Sequence, residues 1–345
     1  MRYRLLGRSD LKVSEICLGT MTFGQQNNEA EGHAQLDMAL DHGVNFIDTA
    51  EMYAIPPRAE TYGETERIIG NWLHKTGKRD RIILASKVIG QAEWMSYVRN
   101  GRACLDRANI EQAIDDSLRR LRTGYLDLYQ LHWPDRQTNF FGKLGYQYAQ
   151  QSPPTTIEET LQVLADLVKA GKVRYVGVSN ETPWGVMEYL RCSERLDLPR
   201  IVSIQNPYSL LNRSYEVGLA EISRQEQLPL LAYSPLGFGV LTGKYIGQQP
   251  EQARLSLFNN YQRYSTDNGV AATADYVALA RKHRLSPAQM ALAFVNSRPF
   301  VGATIIGATN LEQLKENLAS VELELNEELL QDIEEIHRRY PNPCP

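Results

Sequence analysis

A short apolar run, a turn and an amphipathic helix follow one another eight times between residues 16 and 338. The runs are 16–18, 45–48, 82–87, 125–132, 173–178, 201–204, 229–233 and 304–306. The spacing of apolar residues predicts helices over 31–42, 64–73, 109–121, 157–170, 184–196 and 215–225. A longer helical region covers 271–283 and 287–297, and the last unit has helices at 311–318 and 327–338. Alternation of strand and helix implies parallel strands, and eight units close a barrel. The expected fold class is therefore α/β, a (β/α)8 barrel of the TIM type, with residues 1–345 forming one domain. Residues 2–13 precede it as a β-hairpin that turns at Gly7-Arg8-Ser9-Asp10. Three connections, 88–107, 133–154 and 236–269, are longer than a barrel needs. All three follow strands, so they rim the face on which barrels carry their active sites.

The charge balance narrows the classes of partner. A net charge of -4 gives no electrostatic reason to expect nucleic acid or an anionic membrane. Cys17, Cys104, Cys192 and Cys344 form no C-x-x-C pair and read as reduced thiols. The N-terminus has no secretory pattern, and no apolar run reaches the roughly 18 residues of a membrane span. The expectation is a cytoplasmic, soluble protein with a small-molecule partner and no obligate protein partner. The six histidines are scattered without an H-x-x-x-H pair, so no metal is expected.

Barrel closure brings the ends of the second, third and fourth strands onto one rim. The second ends at Asp48 and delivers Tyr53 five residues later; the third ends at Lys87 and the fourth at His132. Singly these have ordinary readings: a capping aspartate, a surface lysine, a satisfied histidine and a packing tyrosine. Together they make a proton donor. A phenol has a pKa of about 10 and becomes a useful acid when a nearby cation lowers it. Lys87 is the candidate cation, Asp48 its counter-ion, Tyr53 the acid and His132 a second donor to the same substrate oxygen. An acid aimed at oxygen suits carbonyl reduction, in which hydride reaches carbon and a proton reaches oxygen.

Hydride needs a carrier, since no side chain supplies it. Ser179, Asn180 and Gln205 end the fifth and sixth strands and are placed to hold a carboxamide, although Ser-Asn after a strand also reads as a plain turn. Tyr233, ending the seventh, is placed to stack on a nicotinamide ring. The stretch Gly237-Phe238-Gly239-Val240-Leu241-Thr242-Gly243-Lys244 nearly matches two phosphate-binding fingerprints and satisfies neither. It reads as a glycine-rich loop that covers a dinucleotide within a barrel.

At this point the chain resembles the aldo-keto reductase superfamily over nearly its whole length. Asp48-Thr49-Ala50-Glu51-Met52-Tyr53 matches D-T-A-x-x-Y, with Lys87 and His132 on the other tetrad positions. Gly177-Val178-Ser179-Asn180, Gln205-Asn206-Pro207-Tyr208 and Tyr233-Ser234-Pro235-Leu236 match further motifs of that family in order. The resemblance implies NADP(H), bound extended across the mouth. It also implies that the cofactor is held by Gly19, Thr20, Met21, Asp48, Ser179, Asn180, Gln205 and the segment from Tyr233 through Ser234, Pro235, Leu236, Gly237, Gly239, Leu241 and Gly243 to Lys244. Arg254, Ile306, Gly307, Ala308, Thr309, Gln313 and Asn317 complete that set. Where many members grip the 2′-phosphate with Lys-Ser and a later Arg, this chain has Gly307-Ala308 and Gln313, as in a branch that includes potassium-channel β-subunits and bacterial relatives of the Tas type. Lys244 and Arg254 then carry the positive charge. Phe23, Trp94 and Trp133, with Met21, are expected to line an apolar substrate pocket. A second reading on the same fold is an NADP(H)-sensing regulatory protein. A metal-dependent hydrolase built on His132 and Asp48 lacks further ligands.

Overall fold

A computed structural model of the chain describes residues 1–148, 152–258 and 262–345. Residues 149–151 and 259–261, within two of the long loops, lie outside the described residues. The hairpin pairs β1 (Tyr3–Leu5) with β2 (Lys12–Ser14) antiparallel, in the register Leu5 to Lys12. Eight parallel strands follow: β3 (Ile16–Gly19), β4 (Phe46–Asp48), β5 (Ile83–Val88), β6 (Leu126–Leu131), β7 (Val173–Ser179), β8 (Ile201–Pro207), β9 (Leu230–Tyr233) and β10 (Val301–Ile306). They close in chain order, with β10 pairing back onto β3. The barrel expected from the alternation is present, with the hairpin ahead of it.

Helix ends are set by capping more than by the apolar stripe. The helix expected over 31–42 runs Glu29–Asp41, because Asn28 and Glu31 form a reciprocal capping box. The one expected from 271 starts at Asp267, where Thr266 accepts from the Gly269 amide. The helix Glu64–Thr76 stops where Gly77 takes a left-handed conformation, φ 65°. Among the described residues no helix is long and apolar enough to cross a membrane.

Side chains alternate along a strand, so the barrel interior is built in layers two residues apart. One layer is apolar: Cys17, Phe46, Ala85, Leu128, Leu231 and Ala303 pack with Leu6, Leu11 and Val13 of the hairpin segment. The hairpin thus seals one end of the barrel. Two residues further on, the same faces of β4, β5 and β6 present Asp48, Lys87 and Gln130 toward the other end. The outer faces pack beneath the helices in one large cluster that includes Ile47, Leu84, Trp72 and Ile114.

The helices Glu64–Thr76 and Arg107–Leu121 meet at Gly70, where an added Cβ would lie 2.1 Å from the Arg120 carbonyl oxygen. That neighbour is backbone and cannot swing aside. Gly70→Ala is expected to destabilise the protein by about 1–3 kcal/mol through overpacking, read as a lower urea midpoint with an unchanged slope. An unchanged midpoint would show that the two helices are free to separate.

Candidate active site

Lys87 rises from the top of β5 into the barrel with no exposed surface. Its Nζ donates to Asp48 Oδ2 at 2.5 Å, to the Thr49 carbonyl at 2.8 Å and to the Tyr53 hydroxyl at 3.4 Å. An ammonium has three donors, and all three are directed. Asp48 is held from the other side as well, since its Oδ1 accepts from Gln130 Nε2 at 3.1 Å and Gln205 Nε2 at 2.9 Å. The turn that brings Tyr53 over this pair continues the strand pairing beyond Asp48. The Thr49 amide donates to the Ala85 carbonyl, the Glu51 amide to that of Lys87, and the Tyr53 amide closes back on Ala50. The Tyr53 and His132 rings meet edge to face, 5.8 Å apart.

Burial decides the protonation states. It pushes the Tyr53 phenol above its ordinary 10.0; Lys87 pulls it down, Asp48 pushes it up, and burial prevails. The expectation that Lys87 lowers this pKa is therefore corrected in its net effect, although the lysine acts in the expected direction. Burial opposes the charge on Lys87, but Asp48 and Tyr53 outweigh it and raise the lysine above 10.5. His132 is driven well below 6.5, first by burial and then by Lys87. Among the described residues its buried Nδ1 has no hydrogen-bond partner, so a second ring N–H would be stranded there. At neutral pH the site holds a neutral phenol, a charged ammonium and a neutral imidazole.

Above these residues opens a cavity of about 830 Å³. Asp48, Tyr53 and His132 form its floor, and Trp94 and Trp133 lie on one side. Ser179, Asn180, Gln205, Tyr233, Ser234, Pro235, Leu236, Gly239, Lys244 and Arg254 also face it, as do Gly19, Thr20, Met21, Ile306, Gly307, Ala308, Thr309, Gln313 and Asn317.

The model of the Aldo/keto reductase family matches residues 15–338. The chain is 55% identical to Protein tas of Escherichia coli (strain K12) over the full length of both. It is 32% identical to the uncharacterized oxidoreductase YrpG of Bacillus subtilis (strain 168), over 99% of this chain and 97% of the relative. It is also 31% identical to a probable voltage-gated potassium channel subunit beta of Arabidopsis thaliana, over 94% and 92% of the two chains. The chain belongs to the aldo/keto reductase family. It is thereby an oxidoreductase of a family that works with nicotinamide cofactors.

Among the site residues expected from the sequence, two sets are joined by hydrogen bonds and a third lies away from the cavity. Asp48, Lys87, Tyr53 and His132 come together as described. Ser179, Asn180, Gln205 and Tyr233 reach the cavity but are also tied to one another. Gln205 turns its amide nitrogen to Asp48 and Gln130, Asn180 donates to the His132 carbonyl, and the Tyr233 hydroxyl donates to Asn180 Oδ1 at 2.6 Å. The third group misses the cavity. Phe23 is fully buried, because the turn after β3 directs it beneath the helix Glu29–Asp41, where it fills the space left by Gly32. Gly237, Leu241 and Gly243 lie behind the wall: Gly237 and Leu241 are buried and Gly243 packs on Val277. The compact turn at 237–243 exposes Gly239 and Lys244 instead, and the Lys244 side chain lies across Gly239, 2.9 Å from where a Cβ would be. Gln130 is the participant that the sequence reading passed over. It stands two residues before His132, on the same face of β6, and that spacing was the available signal.

Lys87→Met would leave Asp48 buried without its cation, and the loss of stability is expected to be about 3–5 kcal/mol. Asp48→Asn combined with Lys87→Met removes both charges and should recover part of it. Urea denaturation of the two variants checks this; a loss below about 1 kcal/mol in the single variant would mean that water reaches the pair.

Proposed function

We propose that the chain reduces aldehydes or ketones to alcohols with NADPH, as one unit over residues 1–345, with Tyr53 as the acid. The observation that carries this reading is the Lys87 ammonium, which has one hydrogen bond on the Tyr53 oxygen and the rest on Asp48 and Thr49. A donor on that oxygen leaves the phenolic proton free to point into the cavity. As the proton departs, the charge left behind faces the ammonium in a site screened from water. That interaction strengthens toward the transition state, so it accelerates the reaction beyond improving binding. Neutral His132 adds a second donor to the substrate oxygen without competing positive charge.

The residues around the cavity fit a dinucleotide. The Tyr233 ring, anchored through Asn180, would support the nicotinamide, and Ser179, Asn180 and Gln205 border its place. Bound there, the nicotinamide supplies the hydride. Lys244 is pushed below its ordinary pKa by burial and then by Arg254. Lys244 and Arg254 both border the cavity, and positive charge there supports a phosphate-bearing cofactor. Gln313 accepts from the Thr309 amide and hydroxyl, and Asn317 donates to the Gly307 carbonyl. These contacts shape the segment that would border the adenosine end.

Titration with NADPH and with NADH, followed by tryptophan fluorescence, tests the cofactor. NADPH is expected to quench at a concentration at least about tenfold lower, the equivalent of roughly 1.4 kcal/mol for the extra phosphate. Equal responses would remove Lys244 and Arg254 from that role. Tight binding with no turnover of any carbonyl would favour a regulatory sensor.

Tyr53→Phe should lower kcat about 10²- to 10⁴-fold with NADPH affinity unchanged. Wild-type kcat for reduction should be level between pH 6.5 and 10.0, because His132 is neutral above the first value and Tyr53 and Lys87 keep their protons beyond the second. Only above that range should activity fall, as the phenol loses its proton. A descending limb near neutrality, or normal turnover in the phenylalanine variant, would refute the assignment of the acid.

A further inference from the structure

Two buried carboxylates beside the site take no part in the proton transfer. Glu51, fully buried, stands two residues before Tyr53, and Asp135, 9% exposed, three residues after His132. Both reach across to the long loop that follows β5. Glu51 accepts from the Ile89 amide at 2.8 Å and takes both terminal nitrogens of Arg99, at 2.6 and 2.9 Å. Asp135 accepts from the Gln91 amide at 2.7 Å and the Leu105 amide at 2.6 Å. The loop is therefore held near its start, at its middle and at its end.

The fit between the loops is close. An added Cβ on Gly90 would lie 2.7 Å from the Trp133 carbonyl oxygen and 2.9 Å from Asp135 Oδ1. Trp133 Nε1 donates to the Gln91 carbonyl at 3.0 Å, and Ala92, Met95, Val98 and Ala103 form a small core against Trp133. What the loop carries is Trp94, which is 60% exposed and lies with its ring 6.3 Å from that of Trp133, the planes 29° apart. Trp133 in turn lies 4.9 Å from His132. Trp133, itself 2% exposed, backs the exposed Trp94, and the two stacked indoles border the cavity beside His132 as an aromatic wall. Such a wall offers dispersion and ring contact to a planar aromatic group and little to a small aliphatic one.

The Asp135 carboxyl belongs to this fastening. Burial pushes it up to about 6, against the pull of the two backbone amides, and no cation pairs with it among the described residues. An ionised group in that position is held by the loop amides and holds them in return.

We propose that Asp135 and Glu51 are positioning residues: they fix Trp94 against Trp133, and the resulting wall selects planar aromatic over small aliphatic carbonyl compounds. The substrate class rests on the reductase reading; the wall and its fastening do not.

The full-length protein, saturated with NADP+, is titrated calorimetrically with 2-acetonaphthone and with 2-butanone, and turnover of both is measured with NADPH. Wild type should bind the naphthyl ketone at least about tenfold more tightly. Asp135→Asn keeps the side chain's shape but sets an amide NH2 against a backbone N–H. It should weaken the naphthyl ketone about tenfold, a loss of roughly 1.4 kcal/mol, with butanone and NADP+ affinities within about twofold. Trp94→Ala, a change at an exposed position, should do the same. If Asp135→Asn fails to fold, Arg99→Lys keeps a cation beside Glu51 but gives up the paired contact from two terminal nitrogens, and it should give the same selective loss in weaker form. Equal weakening of both ketones would reduce the carboxylates to general structural supports, and no change in either would overturn the proposal. Selective binding by wild type without turnover of either ketone would refute the reductase reading and leave the wall in place.

Discussion

Lys87 and Asp48 form an ion pair 2.5 Å long with 0% and 3% of their side chains exposed. Removing two charges from water costs several kcal/mol per ion, and their attraction returns about as much. The pair is thus a poor source of stability and a strict condition on geometry. Its members come from adjacent strands, with Asp48 beside Ala85 and Lys87 beside Gln130 in the pairing. A slip of one residue in β5 would turn Lys87 out of the barrel and leave Asp48 buried alone. The correct register is therefore the one that satisfies the ammonium, and that register also places Tyr53 and His132. Gln130 and Gln205 extend the condition to β6 and β8, because both donate to the same carboxylate oxygen.

Around this centre the chain uses charge for two separate purposes. Inside the barrel, one ammonium and one carboxylate hold each other beside a buried phenol. Just outside it, Glu51 and Asp135 make hydrogen bonds to loop backbone. Glu51 needs Arg99 because it is fully enclosed and also accepts from the Tyr62 hydroxyl, 2.7 Å away. Asp135 is closer to the surface and is satisfied by two amides. Glu51 lies two residues from Tyr53 and Asp135 three from His132, so the turns that carry those two side chains also anchor the loop above them. A disturbance of that loop would reach the site through these two side chains.

The barrel was legible because its signal is periodic and repeated: eight apolar runs followed by eight helical stripes admit few other closures. Asp48, Lys87 and His132 were legible because each ends a run, and a polar residue at the end of a barrel strand is conspicuous. Gln130 was not, because it lies inside a run and reads as an interruption until the strand's alternation is counted back from His132. Phe23 misled for the opposite reason. An aromatic residue four positions past a strand end reads as pocket lining, yet the turn at Thr20–Thr22 sends it into the core. The net rise of the Tyr53 pKa was also out of reach. The sequence names the cation that lowers it, but burial, which outweighs that cation, is a property of the folded chain. Glu51 and Asp135 gave no signal of their own, since accepting a backbone amide requires no residue pattern.

The order of strands around the barrel divides the cavity into two chemically unlike halves. The segments after β9 and β10, which are neighbours in the ring, contribute Lys244, Arg254 and the turn at Gly307 to Thr309. Those after β5 and β6, also neighbours and on the far side of the ring, contribute Trp94 and Trp133. Tyr53, delivered from β4, stands between them. On the proposed function, a ligand pair drawn by charge at one end and by ring contact at the other would be brought together over Tyr53, whose oxygen touches Lys87. The strands hold Tyr53 beside Lys87, while the loops border the cavity above it. Substitutions in the loop after β5 should therefore alter which carbonyl compound binds without altering the protonation of the phenol, since no atom of that loop contacts Lys87 or Asp48 by any hydrogen bond among the described residues.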